Sequence, residues 1–423
     1  MNKNGGERAL TITTKNSPFS IEDTEPLLPW LSSFGQSEGG GVSRLLYTPS
    51  WLEAQLALKQ KMEQSGLHTY FDSVGNLFGR LEGKQDTVTI LTGSHIDSVI
   101  NGGKYDGTYG IIASFLAAQL VYQKYGKPKK NIEVVSLCEE EGSRFPLTFW
   151  GSGNITGKYS ITDANNIHDA NSVSLRTAMN EADFNPEHYQ SPVRKDLEAF
   201  IELHVEQGII LDRTRTSLGI VDSIVGQRRF TVQISGESNH AGTTPMSYRK
   251  DSLYFASKYI YFLTNKAMKL DQDLVITAGK MNVMPNTPNV IPGNAEFTLD
   301  IRHHDEAVLE TFCNEARHTL DQMAKELTMC AKMSKWLDIK PVPMNTPLTA
   351  LATKIAKEQQ ISYRKLMSGA GHDAQVFGEY CPTALLFVPS KDGISHSPKE
   401  FTNKADLENG VRILTEFLYQ LAY

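Results

Sequence analysis

The first half of the chain alternates between apolar runs of strand length and one longer apolar stretch of helix length. TVTILTGS (87–94), NIEVVSLCEE (131–140) and AFIELHVEQG (199–208) are rich in β-branched and apolar residues, as strands buried on both faces are. Between the first two lies TYGIIASFLAAQLVYQKYG (108–126), whose length and terminal glycine predict a helix. Strand, helix and strand in succession predict parallel strands joined by a right-handed crossover, and therefore an α/β fold.

The middle of the chain shows a different pattern, in which apolar and polar residues alternate one by one. In RRFTVQISG (228–236) and AEFTLDIRH (295–303) every second residue is apolar, which predicts half-exposed strands of an antiparallel sheet. A helix-like segment near 251–268 follows the first of these strands, and another near 305–330 follows the second. These elements predict an α+β domain whose sheet has one wet face.

The two patterns together predict how the chain is divided into domains. The smaller α+β domain covers residues 222–336. It is inserted into a larger α/β domain with a mainly parallel sheet, formed by residues 1–221 and 337–423. A length of 423 residues also favours two domains over a single core. Residues 1–20 form a polar leader, to which no function is assigned.

Composition and charge exclude several classes of protein. A hydrophobic share of 40% and a net charge of −6 are typical of a globular protein, and no Lys/Arg stripe indicates nucleic-acid binding. No segment approaches the roughly 20 apolar residues of a membrane helix, and the first residues lack the apolar core of a signal peptide. The four cysteines form no CxxC pair, so reduced thiols and a cytoplasmic location are expected.

Candidate metal chemistry begins in GSHIDSVINGGKYDG (93–107). His95 and Asp97 are two apart and share one face at the carboxyl end of a strand, where open α/β sheets place their active sites. Asp106 follows eleven residues after His95, in the loop before the predicted helix, and its two oxygens can bridge two cations. The alternative is that His95 and Asp97 merely end a strand and that Asp106 caps a helix.

Three other segments carry residues of the same chemical type. CEEEGSRF (138–145) places three consecutive carboxylates at the end of an apolar strand, where they repel one another unless cations neutralise them; the alternative is an exposed acidic run. ELHVEQG adds His204 on a strand, and GISHSPKE adds His396 in a loop. Histidines and carboxylates without thiolates suit Zn²⁺ or Mn²⁺, and two cations bridged by Asp106 would share a water.

This set of motifs resembles a known superfamily. HxD, an aspartate eleven residues later, a glutamate pair before a glycine and two later histidines are similar to the dinuclear metallohydrolases that include aminoacylases and carboxypeptidase G-type enzymes. EEEGSRF, ELHVEQG, GQRR, ESNHAGTTPM, PNTPNVIPG and GAGHDAQ resemble its hydantoinase/carbamoylase branch, with N-carbamoyl-L-amino-acid hydrolases, yeast-type β-ureidopropionases and allantoate-hydrolysing enzymes. The resemblance runs from residue 26 almost to the C-terminus and leaves the leader outside.

The resemblance implies a role for each candidate metal ligand. One metal would be held by His95 and His204, the other by Glu141 and His396, and Asp106 would bridge the two. In the neighbouring positions, Glu140 matches the general base and Asp97 a carboxylate that supports the ligands. Glu139 is then spare, although a register error of one position within the three glutamates remains open.

The resemblance also implies substrate-binding residues, most of them in the inserted domain, which would serve for dimerisation and as a lid. His240 matches a histidine that stabilises the developing oxyanion, commonly across a dimer interface. The remaining candidates match residues that bind the substrate's carboxylate and ureido groups or lie in a nearby loop of the catalytic domain: Gln227, Asn289, Arg302, Gly371 and His372. Closure of the inserted domain would complete the site.

The activity implied is metal-dependent hydrolysis of a ureido C–N bond of allantoate, which gives ureidoglycine, ammonia and carbon dioxide and recovers purine nitrogen. The expected partners are this small substrate and a second copy of the chain in a homodimer, with two Mn²⁺ or Zn²⁺ ions per subunit. An N-carbamoyl-L-amino-acid hydrolase is the nearer alternative. A non-catalytic binding protein on the same fold is the more distant one, and it is disfavoured because no ligand or base is missing.

Overall fold

The computed structural model describes residues 19–423, so most of the predicted leader, residues 1–18, lies outside the described residues. The chain divides into two compact units. The first unit consists of the chain up to Ala199 together with Leu203–Val205 and Ser390–Tyr423. The second unit consists of Phe200–Glu202 and Glu206–Pro389.

The first unit alternates strands with helices. Its elements are α1 (Thr24–Ser32), α2 (Pro49–Gln64), β1 (His68–Phe71), β2 (Leu77–Leu81), β3 (Gln85–His95), α3 (Thr108–Tyr125), β4 (Lys130–Leu137), α4 (Trp150–Thr156), α5 (Leu175–Glu181) and, closing the chain, a helix at Lys404–Ala422; β5 (Leu197–Val205) contributes residues to both units. Short 3₁₀ turns lie at Ile21–Asp23, Ile161–Asn166, Pro186–His188 and Lys391–Gly393.

The second unit begins with α6 (Ile210–Thr214), and strands and helices follow in two groups. The first group is β6 (Leu218–Ile224), β7 (Gly226–Ser235), β8 (Asn239–His240), a 3₁₀ turn (Met246–Tyr248), α7 (Ser252–Leu270), β9 (Val275–Thr277), β10 (Met281–Met284), β11 (Val290–Ile291), β12 (Asn294–His303), α8 (Glu306–Glu326) and β13 (Cys330–Ile339). The second is β14 (Val342–Pro343), α9 (Thr346–Glu358), β15 (Tyr363–Ser368), α10 (Asp373–Gly378) and β16 (Thr383–Val388). The closing helix at Lys404–Ala422 is therefore α11.

The strands of the first unit lie in the order β1-β2-β4-β3-β5. β3 and β4 are parallel and are connected through α3, as the sequence pattern predicts, while β1 and β2 extend the sheet with antiparallel pairs. α3 is apolar on nearly its whole surface and is buried from Thr108 to Gln119. It packs on β3 and on α11. This parallel pair puts the end of β3, and so His95, at the carboxyl edge of the sheet.

The second unit contains two kinds of sheet. β16, β6 and β14 are neighbours in that order, with β15 parallel to β6. Separately, β10-β12-β7-β13, with β9 alongside β12, form an antiparallel sheet. The predicted α/β fold class, with a smaller α+β part, is confirmed. The domain boundaries at 222 and 336 stay a prediction.

The antiparallel sheet buries the face that the alternation predicts. Phe230 and Val232 of β7, and Phe297 and Leu299 of β12, are almost fully inaccessible to solvent. Helices α7 and α8 cover this face and complete the core with Phe255, Tyr259, Leu309 and Phe312. Burying side chains of this size contributes roughly 1.5–3 kcal/mol each. The intervening residues of both strands therefore form the wet face, which carries two of the candidate substrate-binding residues, Gln227 and Arg302.

Within residues 19–423, no helix combines the length and the apolar character that crossing a membrane requires.

Candidate metal centre and substrate-binding residues

Asp106 lies at the centre of the candidate metal site. Its Oδ1 is 3.3 Å from His95 Nε2 and 3.2 Å from His204 Nε2. Its Oδ2 is 3.2 Å from His396 Nε2, which is in turn 3.4 Å from Glu141 Oε1. The two oxygens of one carboxylate therefore face two different ligand pairs, which is the arrangement that a bridging ligand needs.

These side chains form two groups that could each hold a cation. In one group the ligand atoms of His95, Asp106 and His204 lie within 4.8 Å of one another, and in the other those of Asp106, Glu141 and His396 do. No further group of this kind occurs among the side chains that the structure describes. The donors are imidazole nitrogens and carboxylate oxygens without any thiolate, and such a set fits Zn²⁺ or Mn²⁺.

Backbone carbonyls fix which nitrogen each buried histidine presents. His95 Nδ1 lies 3.0 Å from the carbonyl of Asp97, and His204 Nδ1 lies 2.9 Å from the carbonyl of Val205. A carbonyl oxygen can only accept, so each Nδ1 carries a hydrogen, and Nε2 is the nitrogen that can bind a metal once it carries no proton. The two Nε2 atoms are 3.4 Å apart and both face Asp106.

The carboxylate of Asp97 supports the glutamates rather than the histidine. Its Oδ1 accepts from the backbone N–H of Glu140 and its Oδ2 from that of Glu141, each at 3.0 Å. The same carboxylate is 3.6 Å from His95 Nδ1, whose hydrogen bond goes to the Asp97 carbonyl instead. Asp97 therefore positions the backbone that carries Glu140 and Glu141.

The three glutamates have different surroundings. Glu139 is buried, while Glu140 and Glu141 are partly accessible. Glu141 is the one that joins Asp106 and His396 in a ligand group. This geometry supports the register in which the glutamate before the glycine is the ligand and its predecessor the base. Burial, reinforced by the charge of Asp97, raises the pKa of Glu139 well above its ordinary value.

The charges of the centre depend strongly on one another. Burial opposes ionisation of Asp106, yet hydrogen bonds from His204, His396 and His95 hold its pKa well below the ordinary value. Burial and the charge of Asp106 raise the pKa of Glu141 to about 7. The hydrogen bond to Asp106 raises the pKa of His396 to about 9. Protons on the imidazoles thus neutralise the carboxylates, a task that bound cations would take over.

Gly107 allows this packing. Its φ is +61°, in the left-handed region that favours glycine. A Cβ at this position would lie 2.3 Å from the carbonyl oxygen of His95 and 2.6 Å from its Nδ1. Its backbone N–H also lies 3.0 Å from His204 Nε2. Any larger residue here would displace a candidate ligand.

Sequence reasoning missed Arg44, a buried arginine that holds the loop between β3 and α3. Its Nε donates to the carbonyl of Ile96 at 2.8 Å, Nη1 to the carbonyl of Leu31 at 2.8 Å, and Nη2 to the hydroxyl of Thr108. Burial lowers the pKa of Arg44 to about 10. A lone arginine in GGVSRLLYT carries no signal that could have revealed this contact, because its partners lie far away in the sequence.

In the second unit, Gln227 and Arg302 are opposite one another in the register of β7 and β12. Both contact Asp300: Gln227 Nε2 donates to Oδ2 at 2.7 Å, and Arg302 donates through Nε at 2.9 Å and Nη2 at 3.0 Å. Arg229 also donates to Asp300, at 2.8 Å. Asp300 was not among the predicted residues, although it is two positions from Arg302 on an alternating strand and therefore shares its face.

A cleft of about 600 Å³ borders this group. Arg229, Asp300, Arg302 and Trp336 line it, and the guanidinium of Arg229 lies 5.6 Å from the centre of the Trp336 ring. Arg302 Nη1 donates to the carbonyl of Gly369 at 2.7 Å. Three of the five N–H groups of Arg302 are thereby engaged, and each terminal nitrogen keeps one for another acceptor.

His240 is exposed and is held in a defined tautomer. Its Nδ1 accepts hydrogen bonds from the backbone N–H groups of Gly242 at 3.0 Å and Thr243 at 3.2 Å. An Nδ1 that accepts carries no hydrogen, so the hydrogen of the neutral ring is on Nε2. His240 therefore presents an N–H donor outward, as an oxyanion-stabilising residue must.

The structure brings Asn289 next to His240. β8 pairs with β11, and the backbone N–H of Ala241 donates to the carbonyl of Asn289 at 3.0 Å. Asn289 is exposed. The remaining predicted residues lie before α10, where Gly371 is exposed and His372 is buried with its ring 5.3 Å from that of Phe387.

Residues 91–420 match the peptidase family M20/M25/M40. The chain belongs to this family. It is 50% identical to allantoate amidohydrolase of Bacillus subtilis (strain 168), over 94% of this chain and 96% of that protein. It is 47% identical to allantoate amidohydrolase of Escherichia coli (strain K12), over 96% and 98% of the two chains.

A solved structure supports the same assignment. The crystal structure of an amidase of the hydantoinase/carbamoylase family from Burkholderia multivorans superposes with a TM-score of 0.91 and is 30% identical, over 95% of this chain and 98% of that one. The resemblance read from the motifs is thereby confirmed at the level of the M20 family and its hydantoinase/carbamoylase members.

Metal binding should release protons. His396 has a pKa of about 9, above its ordinary 6.5, so in the metal-free protein it holds its proton below that pH and must lose it to become a ligand. At pH 8 we expect Mn²⁺ binding to release at least about one proton per chain. Affinity should rise with pH, and the part of this rise that comes from His396 should end above pH 9, because His396 is then already neutral.

The measurement is calorimetric titration of the metal-free protein with Mn²⁺ in buffers of different protonation enthalpy. His396→Ala should release fewer protons than the wild type. A binding heat that does not change from buffer to buffer would contradict the prediction.

The interaction of His396 with Asp106 should also stabilise the metal-free fold fully below pH 6.5, and this contribution should be lost as the pH rises through 9.

Proposed function

We propose that the protein hydrolyses a ureido C–N bond of allantoate, with ureidoglycine, ammonia and carbon dioxide as products. The observation that carries this proposal is the Asp106-centred ligand set in a chain 50% identical, over 94% of its length, to an allantoate amidohydrolase. The opposed orientation of the two Asp106 oxygens supports a dinuclear centre in particular.

Two divalent cations per chain, Mn²⁺ or Zn²⁺, are the proposed cofactors. His95 and His204 would hold one, Glu141 and His396 the other, and Asp106 would contribute an oxygen to each. When bound, such ions supply Lewis acidity and lower the pKa of water toward neutrality. Both ions accept imidazole and carboxylate ligands.

Glu140 is the proposed general base. It takes a proton from the attacking water and delivers it to the leaving nitrogen. Its position is defined by Asp97, which accepts its backbone N–H at 3.0 Å. The same carboxylate accepts the backbone N–H of Glu141, so base and ligand are positioned by one side chain.

The second unit supplies the proposed substrate contacts. His240 donates from Nε2 to the ureido oxygen as negative charge develops there. Arg302 binds the substrate carboxylate end-on, through the N–H groups left on its two terminal nitrogens. The side of the guanidinium that carries Nε is not available, because it already donates to Asp300. Gln227 and Asn289 are proposed to contact the ureido groups, and Gly371 and His372 to belong to a loop near the substrate.

The alternative is an N-carbamoyl-L-amino-acid hydrolase with the same machinery. The similarity to a hydantoinase/carbamoylase amidase favours it, at a lower identity of 30%. A non-catalytic binding protein is disfavoured because both ligand groups and the candidate base are present.

The test is ammonia release from allantoate and, in parallel, from several N-carbamoyl-L-amino acids, by metal-stripped protein reloaded with Mn²⁺ or Zn²⁺. We expect metal-dependent release that is much faster with allantoate. Faster turnover of the carbamoyl amino acids would be compatible with the proposed metal centre, but it would contradict the proposal that allantoate is the substrate. Metal-loaded protein that hydrolyses neither would overturn the proposed activity.

Replacement of His240 separates its role from metal binding. His240→Ala should lower kcat by roughly 10²–10³-fold, as the loss of one oxyanion donor does, and leave the metal content unchanged. His318→Ala, an exposed histidine on α8 in the same unit, is the matched control and should leave kcat unchanged. Loss of metal from the His240 variant would be incompatible with the role assigned to it.

We also propose that two chains form a homodimer through the outer side of α7. Tyr254, Tyr261 and Met268 on this helix are 56%, 73% and 67% exposed, which is unusual for large apolar side chains close together on one helix. Aromatic residues and methionine are enriched in protein interfaces.

Light scattering should therefore give twice the mass of one chain. Tyr261→Glu should shift the protein toward the monomer, since it would bury an unpaired charge in the interface. Ile100→Glu, at a residue of the first unit that is 69% exposed, serves as the control and should not. A wild-type protein that is monomeric at micromolar concentration would rule the dimer out.

The cytoplasm is the proposed location. Support comes from the four cysteines, none of which forms a disulfide bond: Cys138, Cys313, Cys330 and Cys381.

A further inference from the structure

We propose that Glu400 is a positioning residue that sets the orientation of Asp106 and joins it to the loop of His396. The inference rests on the metal centre proposed above. It concerns a carboxylate that is not itself in either ligand group and that the sequence pattern did not single out.

Glu400 holds the backbone of Asp106 directly. Its Oε2 accepts the backbone N–H of Tyr105 at 2.9 Å and that of Asp106 at 3.1 Å. The residue is only 5% exposed, so water does not compete strongly for these bonds. Two hydrogen bonds from consecutive residues to one oxygen fix the peptide plane before Asp106 and hence the direction in which its side chain leaves the backbone.

The other oxygen of Glu400 reaches the opposite ligand loop. Oε1 accepts from the hydroxyl of Ser395 at 2.9 Å, and Ser395 Oγ is also 3.4 Å from Asp106 Oδ2. Ser395 immediately precedes His396, whose Nε2 faces that same oxygen of Asp106. One carboxylate thus connects the bridging ligand with the loop of a second ligand, although 294 positions separate Glu400 from Asp106.

Gly103 provides the space that this contact needs. A Cβ at Gly103 would lie 1.9 Å from Glu400 Oε2 and 2.3 Å from its Cδ. The requirement for glycine here comes from the approach of Glu400, because the backbone of Gly103 is not in the left-handed region. Substituting Gly103 is therefore an independent way to displace the Glu400 carboxylate without altering it.

The charge of Glu400 is also informative. Because its carboxylate accepts the backbone N–H of Asp106, it places a second buried negative charge near that residue, and such charges repel one another unless cations are close. If the residue only held the loop in its conformation, a neutral hydrogen-bond acceptor would do so without this repulsion. The placement of a carboxylate at this point favours a role toward bound cations, by the general rule that partners behind the ligands tune metal affinity.

The experiment measures Mn²⁺ affinity and stoichiometry on metal-stripped full-length protein by calorimetry, with circular dichroism of the metal-free variants to verify folding. The variants are Glu400→Ala, Glu400→Gln and Gly103→Ala. Glu198→Ala, an exposed carboxylate of the first unit, is the control.

We expect Glu400→Ala and Gly103→Ala to weaken Mn²⁺ binding by roughly 10–100-fold, the usual effect of removing a partner behind a ligand. Because both act through one carboxylate, the double variant should bind little more weakly than either single variant. Glu400→Gln should have an affinity between those of Glu400→Ala and the wild type, since its oxygen can accept both N–H groups while its amide donates to Ser395, but the negative charge is lost. Glu198→Ala should bind as the wild type does.

Wild-type affinity and two Mn²⁺ per chain in folded Glu400→Ala and Gly103→Ala would overturn the inference and assign Glu400 a structural role. Should Glu400→Ala fail to fold, Gly103→Ala decides alone: wild-type affinity and two Mn²⁺ per chain in that folded variant would overturn the inference. If the wild-type protein itself binds no Mn²⁺ or Zn²⁺, the metal centre fails instead, so the two failures are distinguishable.

Discussion

The buried carboxylate of Asp106 is the constraint on which the centre depends. Its charge would be costly among apolar strands without compensation. Three imidazoles supply that compensation, two at one oxygen and one at the other. This division turns one aspartate into the meeting point of two ligand groups. The same arrangement makes the centre a place where cations can replace protons, which couples metal binding to pH.

Several side chains support the two ligand groups without belonging to them. Asp97 and Glu400 each accept two backbone N–H groups, the first from Glu140 and Glu141 and the second from Tyr105 and Asp106. Arg44 holds the loop between β3 and α3 at both ends, through the carbonyl of Ile96 and the hydroxyl of Thr108. Backbone atoms fixed in this way leave the ligand side chains little freedom, and such preorganisation lets a metal site form with small reorganisation.

In the second unit, the carboxylate of Asp300 brings positively charged side chains together. It pairs with Arg229 and Arg302 and accepts from Gln227. This pairing neutralises part of the positive charge. The two N–H groups of Arg302 that are not yet engaged are available to an acceptor in the adjoining cleft. Under the proposed function, such a site would favour an anionic substrate with one carboxylate over plain urea, since urea offers no charge for the guanidinium.

The sequence by itself determined the fold class, the alternating strands and the set of candidate ligands. Periodicity and motif spacing are local properties, so β7, β12 and the HxD stretch could be read from a few neighbouring residues. Only the tertiary structure decided that Glu141 rather than Glu139 groups with Asp106, that the Asp97 carboxylate holds backbone rather than His95, and that Glu400 reaches Tyr105 across 295 positions. Such contacts depend on how distant segments pack, and no local pattern encodes them.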